Sequence, residues 1–167
     1  MLENEYRTPI LADANVLIDY SSSGTEILSL VSEYLAPIFV PDVILLEAHN
    51  FGPRQVQDSG ITVIETPMTF LLPDAAVSSR LSGQDRVCLE MASANGWTCA
   101  TNDKVLRSAC AARGVSLLWG LELMVELVAR DVLPVKRATK VGIKMHEINP
   151  RSITDTVLRD FLSRIGG

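Results

Sequence analysis

Hydrophobic positions along the chain fall into five short runs separated by stretches with helical spacing. Residues 9–12 (Pro-Ile-Leu-Ala, closed by Asp13) form the first run, and 38–40, between Pro37 and Pro41, the second. Residues 61–64 follow the turn Asp58-Ser59-Gly60, residues 97–100 follow Asn95-Gly96, and residues 115–118 follow Gly114. None alternates polar with apolar positions, which predicts strands buried on both faces.

Between the runs, residues 25–34 place Ile27, Leu28 and Val31 on one helical face, with Leu35 just beyond. Ser82 is positioned to cap a helix reaching Ala94, with Asp85 at the reciprocal position of a capping box. Asn102 is expected to cap a helix carrying Val105, Leu106, Ala109 and Cys110 on one face, ended by Arg113-Gly114. After Trp119 the pattern turns helical: residues 121–129 are apolar nearly all round, and Ser152 with Asp155 opens a last amphipathic helix. Strands alternating with helices predict an α/β fold, a single three-layer domain with a central parallel sheet. Residues 1–130 form the predicted body and residues 131–167 a helical extension packed on it.

Composition narrows the function classes. With 167 residues, 47% of them hydrophobic, and a mean hydropathy of +0.22, the chain can bury a full core, which excludes a disordered one. No apolar run approaches the ~18 residues of a spanning helix. The acidic start Met1-Leu2-Glu3-Asn4-Glu5 lacks the basic-then-apolar order of a secretory leader, and three cysteines form no CxxC; both point to a reducing cytoplasm. Net charge is −5, unevenly spread: residues 1–103 hold 4 Lys/Arg and 14 Asp/Glu, residues 104–167 hold 11 and 6. Neither a phosphate-binding GxxxxGK[ST] loop nor a GxGxxG turn occurs. The two histidines, His49 and His146, have no zinc-ligand spacing and no GxSxG elbow.

The remaining chemistry is carboxylate. In a parallel α/β sheet ligands bind beyond the carboxyl ends of the strands. Asp13 and Asp103 follow the first and fourth predicted strands, Glu47 follows the second, and Asp85 opens a helix. Taken singly, Asp85 and Asp103 are ordinary helix-start acids and Glu47 an ordinary surface residue. Together they would form an acid cluster that a divalent cation stabilises, and Mg²⁺ or Mn²⁺ prefers such oxygen donors. An ion so held activates water for phosphodiester hydrolysis. An aspartyl phosphotransferase is disfavoured, because Asp13-Ala14-Asn15 lacks the Asp-x-Asp such sites use.

Leu11-Ala12-Asp13-Ala14-Asn15-Val16-Leu17-Ile18-Asp19 resembles the opening of a PIN domain. Leu46-Glu47-Ala48 is similar to the segment with its second acid, Leu81-Ser82-Gly83-Gln84-Asp85 to that with its third, and Thr101-Asn102-Asp103 to its Thr-Asn-Asp segment. The resemblance covers about residues 9–129 and implies a Rossmann-like, Mg²⁺/Mn²⁺-dependent endoribonuclease, the VapC-type toxin of a toxin–antitoxin pair. Asp13 and Asp103 would then be direct metal ligands, completed by Glu47 and Asp85. Asn15, Thr101 and Asn102 would orient those ligands from behind. The implied reaction leaves a 5′-phosphate and a 3′-hydroxyl on RNA, and the implied partners are a small antitoxin protein and a second copy of the chain. Ala14 and Arg86 depart from the family pattern, and Asp74 and Glu90 are alternative third acids. A different class, a catalytically silent PIN-like module whose acidic pocket docks a partner's basic side chain, stays open.

Arg86 is a candidate phosphate contact. Lys136, Arg137, Lys140 and Lys144 are candidates to follow an RNA backbone, against the more ordinary reading of a solvated helix face. Helix 121–129 calls for cover by the tail, by a second copy or by the core itself. Trp97, Trp119 and the cysteines read as core residues.

Overall fold

The apolar runs become five parallel strands in the computed structural model, which describes residues 7–72 and 80–166. In chain order the elements are β1 (Ile10–Ala12), α1 (Ala14–Ser23), α2 (Glu26–Tyr34), β2 (Ile38–Pro41), α3 (Asp42–Leu45), α4 (Pro53–Ser59) and β3 (Thr62–Ile64). They continue with α5 (Met68–Leu71), α6 (Gly83–Asn95), β4 (Thr98–Ala100), α7 (Lys104–Ala112), β5 (Leu117–Leu118), α8 (Glu122–Ala129), α9 (Val135–Ile148) and α10 (Asp155–Gly166). The sheet order is β3-β2-β1-β4-β5, all parallel. This is an α/β architecture compatible with a three-layer Rossmann-like fold.

Burial on both faces holds for the centre of the sheet and fails at one edge. All of β1 is buried, whereas Thr62 and Val63 of edge strand β3 are exposed. A strand with one neighbour has one side open to water, so its residues need not be apolar.

The strand order fixes where a ligand can sit. From β1 the chain steps outward through β2 to β3, then returns past β1 to β4 and β5. Right-handed crossovers therefore send the connections around β2 to one face and those around β4 to the other. The reversal opens a crevice between the carboxyl ends of β1 and β4.

Two predicted caps shift. Asp103, not Asn102, precedes α7, and its Oδ1 accepts from Leu106 N at 2.8 Å. Thr154, not Ser152, accepts from Val157 N at the start of α10 (3.3 Å). Each lies in a run of cap-competent residues, and packing of the helix chooses among them. The Ser82 cap of α6 is as predicted, with Asp85 N donating to Ser82 Oγ at 3.1 Å.

The tail covers the apolar helix. Leu123, Met124 and Leu127 of α8 are buried, with α9 and α10 packed against it, so α8 needs no second copy as cover. The three cysteines are free and buried, as expected. Trp97 is half-buried, edge-to-face on Phe39 at 5.0 Å, but Trp119 is exposed rather than core.

Candidate functional site

Asp13 occupies the N-cap position of α1, with extended backbone (φ −73°, ψ 155°), yet its side chain makes no capping bond. An aspartate that caps a helix contributes about 1 kcal/mol, and Asp13 forgoes it. Its Oδ2 instead accepts from the Thr101 hydroxyl at 2.8 Å, and that same Oγ1 accepts from Asp103 N at 3.1 Å. Thr101, itself buried, thereby links the acids that follow β1 and β4 across the crevice.

Asp13 is 3% exposed and makes no ion pair with lysine or arginine among the described residues. Desolvation pushes its carboxyl up to about 6; the Thr101 hydrogen bond opposes this, and the charges of Asp85 and Asp103 add to it. Asp85 is also raised, first by burial and further by Asp103, while the Ser82 hydroxyl and backbone pull it down. Glu47 is raised by burial and then by Asp85, with His49 opposing. Asp13, Asp85 and Asp103 thus lie within electrostatic reach of one another, and Glu47 within reach of Asp85, although they come from four separate segments.

The donor set is entirely carboxylate oxygen, which suits a hard divalent cation. Among the described residues, no three His, Cys, Asp or Glu side chains already surround a common metal position. None of the four acids is in an ion pair with lysine or arginine among the described residues. Asp103 is restrained by its cap, binding Leu106 N through Oδ1 alone and leaving Oδ2 outside that bond; the Asp85 backbone N–H donates to Ser82 Oγ, which fixes its place at the start of α6.

The other candidates separate clearly. Asn15 is exposed in the first turn of α1, beside Asp13 in sequence. Asn102 turns away from the acids: its Nδ2 donates to Asp19 Oδ2 (3.2 Å) and its Oδ1 accepts from Gly120 N (2.9 Å). Glu90 pairs with Arg113 at 3.1 Å, outside the cluster; Asp74 lies outside the described residues. Arg86 does not pair with Asp85. It lines a groove of about 180 Å³ with Val43, Leu46 and Leu71, and its buried Nε has no partner. Lys136, Lys140 and Lys144 share an exposed face of α9, while Arg137 pairs with Glu26 of α2.

The sequence reading gave no role to Asp19. It is buried with a raised pKa, caused by desolvation and opposed by hydrogen bonds from Asn149 and Asn102. Asn149 Nδ2 donates to its Oδ1 at 3.2 Å, so Asp19 ties α1 both to the segment bearing Asp103 and to the end of α9. The only signal was an acid six residues after Asp13 among Val16, Leu17 and Tyr20, which are core residues.

No family model matches this chain, and no curated protein or solved structure does either.

Proposed function

We propose that the protein is a metal-dependent endoribonuclease of the PIN type, holding Mg²⁺ or Mn²⁺ at Asp13 and Asp103. The observation that supports this best is the Thr101 hydroxyl joining Asp13 to Asp103 at the carboxyl ends of β1 and β4, with Asp85 within electrostatic reach of both and Glu47 within reach of Asp85. Asp13 and Asp103 would hold the ion directly, and Glu47 and Asp85 would reach it through water, as Mg²⁺ sites commonly allow. The ion would supply Lewis acidity and an activated water for phosphodiester hydrolysis. Thr101 keeps Asp13 oriented through its hydroxyl, and the Asp103 cap fixes the second ligand.

The setting proposed with this activity is the toxin of a toxin–antitoxin pair, on the strength of the resemblance in residues 9–129. Cleavage of an RNA substrate with Mg²⁺ or Mn²⁺ tests the activity. Activity is expected to vanish with EDTA and to fall by roughly a hundredfold or more in Asp13→Asn or Asp103→Asn, since even groups behind metal ligands cost ~10–100-fold. Cleavage surviving EDTA or both substitutions would refute it. The competing reading, a silent module that docks a protein, draws on the structural work Asp103 does as the cap of α7. It predicts no cleavage with any ion.

If the exposed face of α9 follows the RNA backbone, Lys140→Glu with Lys144→Glu weakens binding and flattens its salt dependence, by ~0.7 in slope per lost phosphate contact. Fluorescence polarisation across a salt series measures both. An unchanged slope would leave that face as solvated surface.

A further inference from the structure

Trp119 leaves β5 at the sheet edge where Asp13 leaves β1 and Asp103 leaves β4. Strands β4 and β5 are hydrogen-bonded neighbours, about 4.8 Å apart, so the indole begins one strand from Asp103. Although it directly follows an apolar strand, Trp119 is 37% exposed.

The indole is nonetheless well anchored. The Trp119 backbone N–H donates to Glu122 Oε2 at 2.6 Å. The next residue, Gly120, donates to Asn102 Oδ1 at 2.9 Å, and its carbonyl accepts from the buried Tyr20 hydroxyl at 2.6 Å. The Arg107 guanidinium carbon lies 3.5 Å from the ring centroid, and Arg107 Nη1 donates to the Thr101 carbonyl at 3.0 Å. Arg107 therefore ties the indole to the residue that links Asp13 and Asp103.

Trp119 also borders a groove of about 330 Å³ between α8 and α10, lined by Leu121, Val125, Val157 and Phe161. Arg107 is not among the residues that line this groove. The charged residues at the groove are paired with one another, Arg164 to Glu122 at 3.3 Å and to Asp160 at 4.0 Å. What the groove presents is aromatic and apolar surface, which suits the flat face of a base and not a phosphate. Positive charge lies over the indole itself, at Arg107.

We propose that Trp119 is the stacking platform for a nucleobase of single-stranded RNA whose backbone crosses the four acids, with Arg107 placing positive charge beside that nucleotide. This rests on the ribonuclease reading and adds to it a residue that positions the substrate. Stacking on a fixed aromatic is tolerant of base identity and is a common means of holding single strands.

The test uses the full chain with Trp97→Phe, so that Trp119 is the one emitting indole. Ten-nucleotide oligoadenylate and an abasic ribose-phosphate strand of equal length are titrated in EDTA at low ionic strength. Oligoadenylate is expected to quench Trp119, and the abasic strand is not. In polarisation, Trp119→Ala weakens oligoadenylate binding roughly five- to a hundredfold and leaves abasic binding unchanged, while Trp119→Phe restores most of the affinity. Equal quenching by both strands, or full affinity in a folded Trp119→Ala protein, overturns the proposal. So does a shift of Trp119→Ala from dimer to monomer in sedimentation without loss of RNA affinity, which would make the groove a contact between copies. A stacking signal without Mn²⁺-dependent cleavage keeps the platform and removes the nuclease reading; cleavage with a silent Trp119 does the reverse.

Discussion

Asp13→Asn is expected to stabilise the fold at pH 7 while abolishing cleavage. The buried carboxyl holds its proton more tightly in the folded chain, up to about 6, than an ordinary carboxyl at 3.8. Between those values the folded state binds more protons than the unfolded one, so stability falls as pH rises from about 4 to about 6. Above that range the full cost of the ionised group remains, of order 3 kcal/mol from the difference between the two values. Asparagine removes the charge and still offers an oxygen to the Thr101 hydroxyl. Urea denaturation of the metal-free protein in EDTA should show the variant more stable than the parent at pH 7, by up to about 3 kcal/mol, and nearly equal to it near pH 4. A variant less stable at pH 7 would mean that Asp13 has a stabilising partner. At subsaturating metal, cleavage should itself decline as pH falls, because protons compete for a carboxyl that burial already biases towards its acid form.

Gly142→Ala carries the second large effect. A Cβ on Gly142 of α9 would collide with the ring of Phe161 on α10. Phe161 is itself 2% exposed and packed into the core, so it has little room to move. Forcing a methyl into such a contact costs about 1–3 kcal/mol. The loss should show as a lower urea midpoint, and Phe161→Leu in the same chain should recover part of it, so that the double variant is less destabilised than the sum of the singles. Full additivity would mean that the two helices do not meet at this point.

The sheet could be read from the sequence because Pro37, Gly60, Gly96 and Gly114 punctuate short apolar runs; Gly60, Gly96 and Gly114 adopt positive φ at the turns. Helix α1 was not predicted; buried Val16, Leu17 and Tyr20 stabilise it through packing that a local pattern does not carry. Helix α4 escaped for another reason: between Pro53 and Ser59, Val56 is its only apolar residue. The rule that parallel sheets bind ligands at strand ends pointed to Asp13 and Asp103, and the Thr101 hydroxyl does join them, with Asp85 within electrostatic reach of both and Glu47 within reach of Asp85. Long-range partners were not legible. Asp19 finds Asn149 130 positions away, and Arg107 finds Trp119 through the turn after β5. Trp119 was assigned to the core from its apolar neighbours alone, and the support that holds it at the surface comes from Glu122, Asn102 and Tyr20.

The most direct test of the metal site is calorimetric titration of Mn²⁺ into the apo protein at pH 7, beside Asp13→Asn and Asp103→Asn. Saturable binding to the parent with proton release, lost in both variants, is the predicted result. Equal heats in parent and variants, or no binding to the parent, would contradict it.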